Sequence, residues 1–218
     1  MCGFFYYSEW GSGIKNPLGE YKEIIKRSLL ERGNSNYNIT EVTKDDRYLF
    51  TAHSLLPIFG DINTTYPIES DHSSLLFNGQ IYSIKDKAVK DTKYQNDGFA
   101  LKDYLDLDGK YSFNSLLNIP LDLAGQFAFV YSNEKTKTII LARDIAGQKP
   151  LYYLKSDKAL IVSSIMELLG LFSNYLNDKL IKKKAYSLPF KDSKIEKLPA
   201  GGVSTFNLDN GALLISTS

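Results

Sequence analysis

Short apolar and aromatic runs come in pairs along this chain, each pair separated by a turn signal, and that pairing restricts the fold more than any other feature. Residues 126–132 and 138–142 flank Asn133-Glu134-Lys135, residues 151–154 and 159–162 form a second pair, and Asp209-Asn210-Gly211 marks a last turn. Each has the length and punctuation of a β-hairpin. Asn78-Gly79 lies between two apolar runs within residues 73–83, and this dipeptide favours a type I′ hairpin turn. Residues 47–53 alternate enough to form a strand. Helical patterns fall between the pairs. Asn16-Pro17 reads as a helix cap with proline at the first helical position, and Ile24, Ile25, Leu29 and Leu30 give that helix an apolar stripe ending at Gly33. Asp97 can cap a helix through Leu105, and residues 165–172 and 177–184 read as two more. Hairpins with helices segregated from them predict an α+β fold of antiparallel sheets with helices packed outside.

A content of 43% hydrophobic and 13% aromatic residues in 218 residues is enough to fill the core of one such domain. The net charge of +1 carries no nucleic-acid footprint, and Lys182-Lys183-Lys184 after Leu180 and Ile181 reads as the solvated face of a helix. His53 and His72 stand far apart without cysteine or carboxylate partners at ligand spacing, so neither a metal nor a cofactor is expected. One cysteine permits no internal disulfide. No stretch has the length and apolarity of a membrane span or the pattern of a signal peptide, which makes no membrane partner and a cytoplasmic location the expectation.

That single cysteine, Cys2, follows the initiator methionine, so removing Met1 would make it the first residue. A thiol needs to lose its proton to act as a nucleophile, with a reference pKa of roughly 8.5. A free α-amine on the same residue, with a reference pKa of roughly 7.7 to 8.0, can take that proton directly or through one water. The aromatic run Phe4-Phe5-Tyr6-Tyr7 would fix this terminus in a sheet, and Gly3 would let the backbone approach a substrate closely. A lone cysteine at the start of a strand also fits a small buried hydrophobe. Acyl transfer from an amide further needs donors aimed at the oxygen that becomes negative. Asn78 and the backbone amide of Gly79 can supply them, although the same pair fits a plain turn.

Several segments, in order, resemble the N-terminal glutaminase domain of asparagine synthetase B type enzymes, a class II glutamine amidotransferase. They are Met1-Cys2-Gly3-Phe4, Glu31-Arg32-Gly33, Ala52-His53, Phe77-Asn78-Gly79-Gln80-Ile81-Tyr82, Asn96-Asp97, Leu123-Ala124-Gly125-Gln126-Phe127-Ala128-Phe129, Ala142-Arg143-Asp144, Gly147-Gln148-Lys149-Pro150-Leu151-Tyr152-Tyr153, Ser163-Ser164-Ile165 and Lys197-Leu198-Pro199-Ala200-Gly201. They span nearly the whole chain, which implies one domain over residues 1–218. The resemblance implies the four-layer αββα sandwich of N-terminal nucleophile hydrolases, built on two antiparallel sheets. It implies Cys2 as nucleophile, Asn78 and Gly79 as the oxyanion hole, and Asp97 as the group that grips the glutamine ammonium, unless Asp97 is only a helix cap. Gln80 stands where the family has a glutamate. Arg143-Asp144 and Lys149-Pro150 fall in stretches expected to be structural, an ion-paired turn between strands.

Two departures shape the expected function. The family binds the substrate α-carboxylate with an arginine two residues after the histidine, and here that position is Leu55. Residues 54–61 contain no lysine, and of the four arginines Arg47 lies eight residues before Leu55, roughly 26 Å in extended chain, which leaves Arg32 as the candidate to take over. Leu55, Leu56 and Ile58 then present an apolar wall to the substrate. A carboxylate left without a partner in a closed pocket would cost roughly 2 to 5 kcal/mol of binding. The second departure is the lack of the phosphate loop of an ATP-using synthetase domain. The expectation is therefore a glutaminase releasing ammonia for a synthetase partner in trans, or else a weakly active or inert binding module, or a hydrolase of another small-molecule amide.

Overall fold

The computed structural model describes residues 2–11, 18–33, 36–44, 46–56, 64–91, 94, 96–107, 113–173 and 194–217. Strand β1 (Gly3–Trp10) is buried along nearly its whole length, and its alternation divides its aromatic side chains between two cores. Phe5 and Tyr7 enter one, while Phe4, Tyr6 and Trp10 enter the other. A strand buried on both faces requires a layer on each side of its sheet.

The chain supplies those layers in the order α1 (Tyr21–Leu30), β2 (Asn36–Lys44), β3 (Arg47–Leu55), β4 (Ile68–Glu69), β5 (Ser73–Ile84), β6 (Lys87–Ala88), α2 (Asp97–Leu107), α3 (Phe113–Asp122), β7 (Leu123–Asn133), β8 (Thr138–Arg143), β9 (Tyr152–Lys155), β10 (Ala159–Ser163), α4 (Met166–Gly170), β11 (Glu196–Lys197), β12 (Val203–Asn207) and β13 (Leu213–Ser216). A six-stranded sheet runs β11-β9-β10-β1-β3-β2, and a seven-stranded sheet runs β13-β12-β8-β7-β5-β4, with β6 pairing β5. Every strand pair is antiparallel. Helices α1 and α4 cover the outer face of the first sheet through Ile25, Leu29, Leu168 and Leu169, which pack with Phe5 and Phe50. Helices α2 and α3 cover the second sheet through Leu101, Leu105, Leu116 and Ile119. The order of layers is αββα, as the resemblance implied.

Several expectations change. Asn78-Gly79 is not a turn: both residues lie inside the continuous 12-residue strand β5, paired with Ala128 and Phe127 of β7. The first helix begins at Tyr21, whose amide donates to the Leu18 carbonyl at 2.8 Å, while Asn16-Pro17 lies outside the described residues. The helix expected over residues 165–172 contracts to α4. The one expected over residues 177–184 also lies outside the described residues. Strand β2 is an edge strand, largely exposed and paired only with β3, so its polar sequence shows no buried-face alternation. Helix α3 carries Pro120 near its end, a residue that suppresses a helical reading. Among the described residues no helix is long and apolar enough to cross a membrane.

Phe129 is fully buried in the central strand β7, opposite Phe77 on one side and Ala142 on the other, with its ring 6.0 Å from that of Phe127. Phe129→Ala is expected to lower the unfolding free energy by about 3–5 kcal/mol, measured by denaturant titration. A loss below about 1 kcal/mol would contradict this account of the core.

Candidate active site

Cys2 stands immediately before β1, and the first residues of that strand are fixed from two directions. The Phe4 amide donates to Ser164 Oγ at 3.1 Å, and Ser163 Oγ donates to the Phe4 carbonyl at 2.9 Å. On the other side Gly3 pairs with Ser54 of β3. Strand β3 then delivers Leu56 to the thiol: the Leu56 amide donates to Cys2 Sγ at 3.3 Å, and the thiol lies 3.4 Å from the Leu56 carbonyl. The Leu55–Leu56 segment is itself held by the turn after α1, where Ser54 Oγ donates to the Gly33 carbonyl. A Cβ at Gly33 would come within 2.8 Å of the Leu55 carbonyl group, so only glycine allows this approach. Gly3, expected to admit a substrate, instead faces Leu29 and Arg32, and its lack of a side chain makes room for that packing. Burial pushes the Cys2 thiol pKa up, against the pull of the Leu56 hydrogen bond and the Lys149 charge, while Asp97 adds to the rise. The resting group is therefore a thiol that needs a base.

The second sheet brings Asn78, Gly79 and Gln80 to the same place. Cys2, Leu55, Leu56, Tyr66, Phe77, Asn78, Gly79, Gln80, Asn96, Asp97 and Lys149 line a cleft of about 490 Å³, counting its open mouth. Asn78 is 1% exposed, and its side-chain Nδ2 has no hydrogen-bond partner among the described residues. A buried donor left unmet costs about 1–3 kcal/mol and calls for an explanation at this position. Gly79 has φ 147°, and a Cβ there would overlap the Gln126 carbonyl and come within 2.7 Å of Phe127 Cα. The contact of β5 with β7 thus admits glycine alone.

Asp97 is the first residue of α2, and its Oδ2 accepts the Ile81 amide at 2.7 Å, where the β5–β7 register shifts. It is not the helix cap. Asn96 has that part, with Oδ1 accepting the Gly98 amide at 2.7 Å and the Tyr66 hydroxyl at 3.2 Å. Burial raises the Asp97 pKa, while the amides around it, Ile81 first, hold it down. His53 is structural: its ring stacks on Tyr66 with centroids 4.5 Å apart, and Nε2 lies 3.0 Å from the Phe77 carbonyl, to which it donates as the neutral tautomer. Burial pushes its pKa down to about 4.

Of the residues expected at the site, the fold gathers Cys2, Asn78, Gly79, Gln80, Asp97, Leu55 and Leu56. Arg32 packs its side-chain stem beside Gly3 and is not among the residues that line the cleft. Ile58 lies outside the described residues. Lys149, expected to be framework, lines the cleft instead, and sequence reasoning also passed over Tyr66, Phe77 and Asn96. Nothing local marks Lys149, because its approach to Cys2 depends on sheet stacking across 147 positions of sequence. The Arg143-Asp144 turn is anchored by backbone rather than by an ion pair. Asp144 accepts the amides of Phe127, Gln148 and Lys149 at 3.2, 2.9 and 3.0 Å, and Arg143 donates to the carbonyls of Lys149, Leu198 and Gly147. Among the described residues no group of three or more His, Cys, Asp or Glu stands close enough to hold a metal ion.

A family profile described as "Glutamine amidotransferase domain" matches residues 58–170. Two solved structures share the fold at low sequence identity. One, described as the structure of the allosteric regulatory enzyme of purine biosynthesis, superposes with a TM-score of 0.62 at 16% identity, over 98% of this chain and 48% of its own. The other, glutamine phosphoribosylpyrophosphate (PRPP) amidotransferase from B. subtilis complexed with ADP and GMP, gives 0.53 at 15% identity, over 99% and 49%. The chain spans about half the length of these two proteins, and the likeness establishes the αββα fold of N-terminal nucleophile hydrolases. No curated protein sequence matches the chain.

The buried His53 sets a pH dependence whose sign follows from its lowered pKa. Between about 6.5 and about 4 the unfolded chain binds a proton at this residue and the folded chain does not. Its contribution to stability is therefore present above pH 6.5 and is lost as the pH falls toward 4, by roughly 3 kcal/mol. His53→Gln keeps a donor for Phe77 but cannot titrate. Denaturant titrations at pH 7 and pH 4.5 should show a smaller loss for the variant than for wild type, and equal losses would contradict a buried neutral imidazole.

Proposed function

The chain belongs to the family of glutamine amidotransferase domains, and from that premise we propose that it hydrolyses the side-chain amide of glutamine through Cys2 and releases ammonia for an ATP-using synthetase partner. The observation that carries the reading is the unmet Nδ2 donor of Asn78, which lines the same cleft as the Cys2 thiol and Gly79. A donor without a ground-state partner is free to meet charge that develops only in the transition state.

In this reading Met1 is removed and the Cys2 α-amine takes the thiol proton as sulfur attacks the amide carbon. The carbonyl π electrons move to oxygen, and the Asn78 side chain and Gly79 amide meet the negative charge. Collapse of the tetrahedral intermediate breaks the C–N bond, with the α-ammonium returning its proton to the departing nitrogen as ammonia. Water then attacks the thioester with the amine again as base, giving glutamate and the free thiol. The raised thiol pKa supports the need for that base. An acceptor-using partner is supported by the two solved structures, of whose chains this one covers 48% and 49%, and its assignment as a synthetase rests on the sequence resemblance alone. A second reading, hydrolysis of an amide whose far end is apolar, is favoured by Leu55 and Leu56 in the cleft wall.

Asn78→Ala is expected to lower kcat for glutamine hydrolysis by about a hundred- to a thousandfold, with a smaller change in KM. An unchanged rate per folded molecule would remove Asn78 from the chemistry. Intact-mass measurement of the active protein should show Met1 absent. Full activity with Met1 retained would rule out the α-amine as base.

A further inference from the structure

The cleft wall contains two charged side chains among the described residues, and they have opposite sign: Asp97 and Lys149. Neither forms an ion pair with another described residue. The wall that Leu55 and Leu56 leave apolar therefore has a cation from a different part of the chain. Resting on the amidotransferase reading above, we propose that Lys149 determines specificity by holding the carboxylate of a zwitterionic substrate, an amino acid with a side-chain amide, while Asp97 faces its ammonium.

The support is in how the lysine is mounted. Its amide donates to Asp144 Oδ2 at 3.0 Å, its carbonyl accepts Arg143 Nε at 2.6 Å, and Pro150 follows with a fixed φ. The same Asp144 Oδ2 accepts the Phe127 amide, and Phe127 is the cross-strand partner of Gly79. The backbone that carries the ammonium is thus tied to the strand beside the oxyanion donors, so the cation and the reacting centre are held in one frame. The four-carbon stem beyond that anchor is free to adjust, and the ammonium offers a point charge rather than the planar fork of arginine. Its charge already reaches the thiol, as its downward pull on Cys2 indicates.

An uncharged or apolar-ended amide would fill the cleft and leave the ammonium desolvated with no counter-ion, which is unfavourable. A zwitterion meets both charges and directs its amide at Cys2. Arg32, the other candidate cation, packs against Gly3 outside the cleft.

The test compares covalent labelling of Cys2 by a diazoketone analogue of glutamine and by the same analogue with its carboxylate converted to a carboxamide. The ratio of their apparent inhibition constants within each variant cancels changes in thiol reactivity caused by the lysine charge. Wild type is expected to prefer the carboxylate form by about tenfold or more. Lys149→Met should bring the ratio near one with an unchanged melting temperature, and Lys149→Arg should keep the preference. Labelling of both proteins with the same ratio would overturn the assignment of Lys149 and leave the amidotransferase reading standing. If neither analogue labels wild type while iodoacetamide does, the amidotransferase reading fails and this proposal fails with it.

Discussion

The pinning of β1 between β10 and β3 is the constraint on which the site depends. Its central position places aromatic side chains in both cores, so displacing it would expose Phe5 and Tyr7 on one face and Phe4 and Tyr6 on the other. At its first residues the anchors become polar, with Phe4 held by Ser163 and Ser164 and Gly3 in register with Ser54. Cys2 lies one residue beyond that clamp, so its sulfur meets Leu56 with little freedom.

The second sheet contributes by close approach. Gly79 lets β5 lie so near β7 that no side chain fits between them, and Asn78 beside it lines the cleft with a donor that no described residue meets. Asn96, rather than Asp97, caps α2, which leaves the Asp97 carboxylate turned toward Ile81 and the cleft. Each of these groups is raised in energy by burial or by lack of a partner. The large cores on either side make such local cost tolerable.

The electrostatics of the cleft are those of a small dipole. Among the described residues one carboxylate and one ammonium line it, and the thiol feels both, with Lys149 drawing its pKa down and Asp97 pushing it up while burial outweighs either. Lys149 thus gives a positive charge to a wall that Leu55 and Leu56 otherwise leave apolar. Arg143 and Asp144, at the base of the turn that carries the lysine, spend their charges on backbone groups. That arrangement makes the turn rigid without an ion pair.

The sequence by itself determined the antiparallel pairing of β7 with β8 and of β9 with β10, because a buried hairpin leaves both an alternation and a turn in the residues that form it. It also put forward Cys2, Asn78 and Gly79 on their chemistry, and Asp97 through the resemblance of its segment to the glutaminase family, and the fold gathers all four in one cleft. It misread Asn78-Gly79 as a hairpin turn, since the dipeptide fits a positive φ equally well in a turn or in a strand that another strand approaches closely. It missed β2, whose exposed edge carries no burial pattern. What only the tertiary structure decided is who stands opposite whom across the cleft. Arg32, the cation put forward from the sequence, packs its stem on Gly3, while the stacking of the two sheets brought Lys149 to the cleft from the far side of the chain. Contacts between residues so far apart are fixed by packing of whole layers, and no local pattern encodes them.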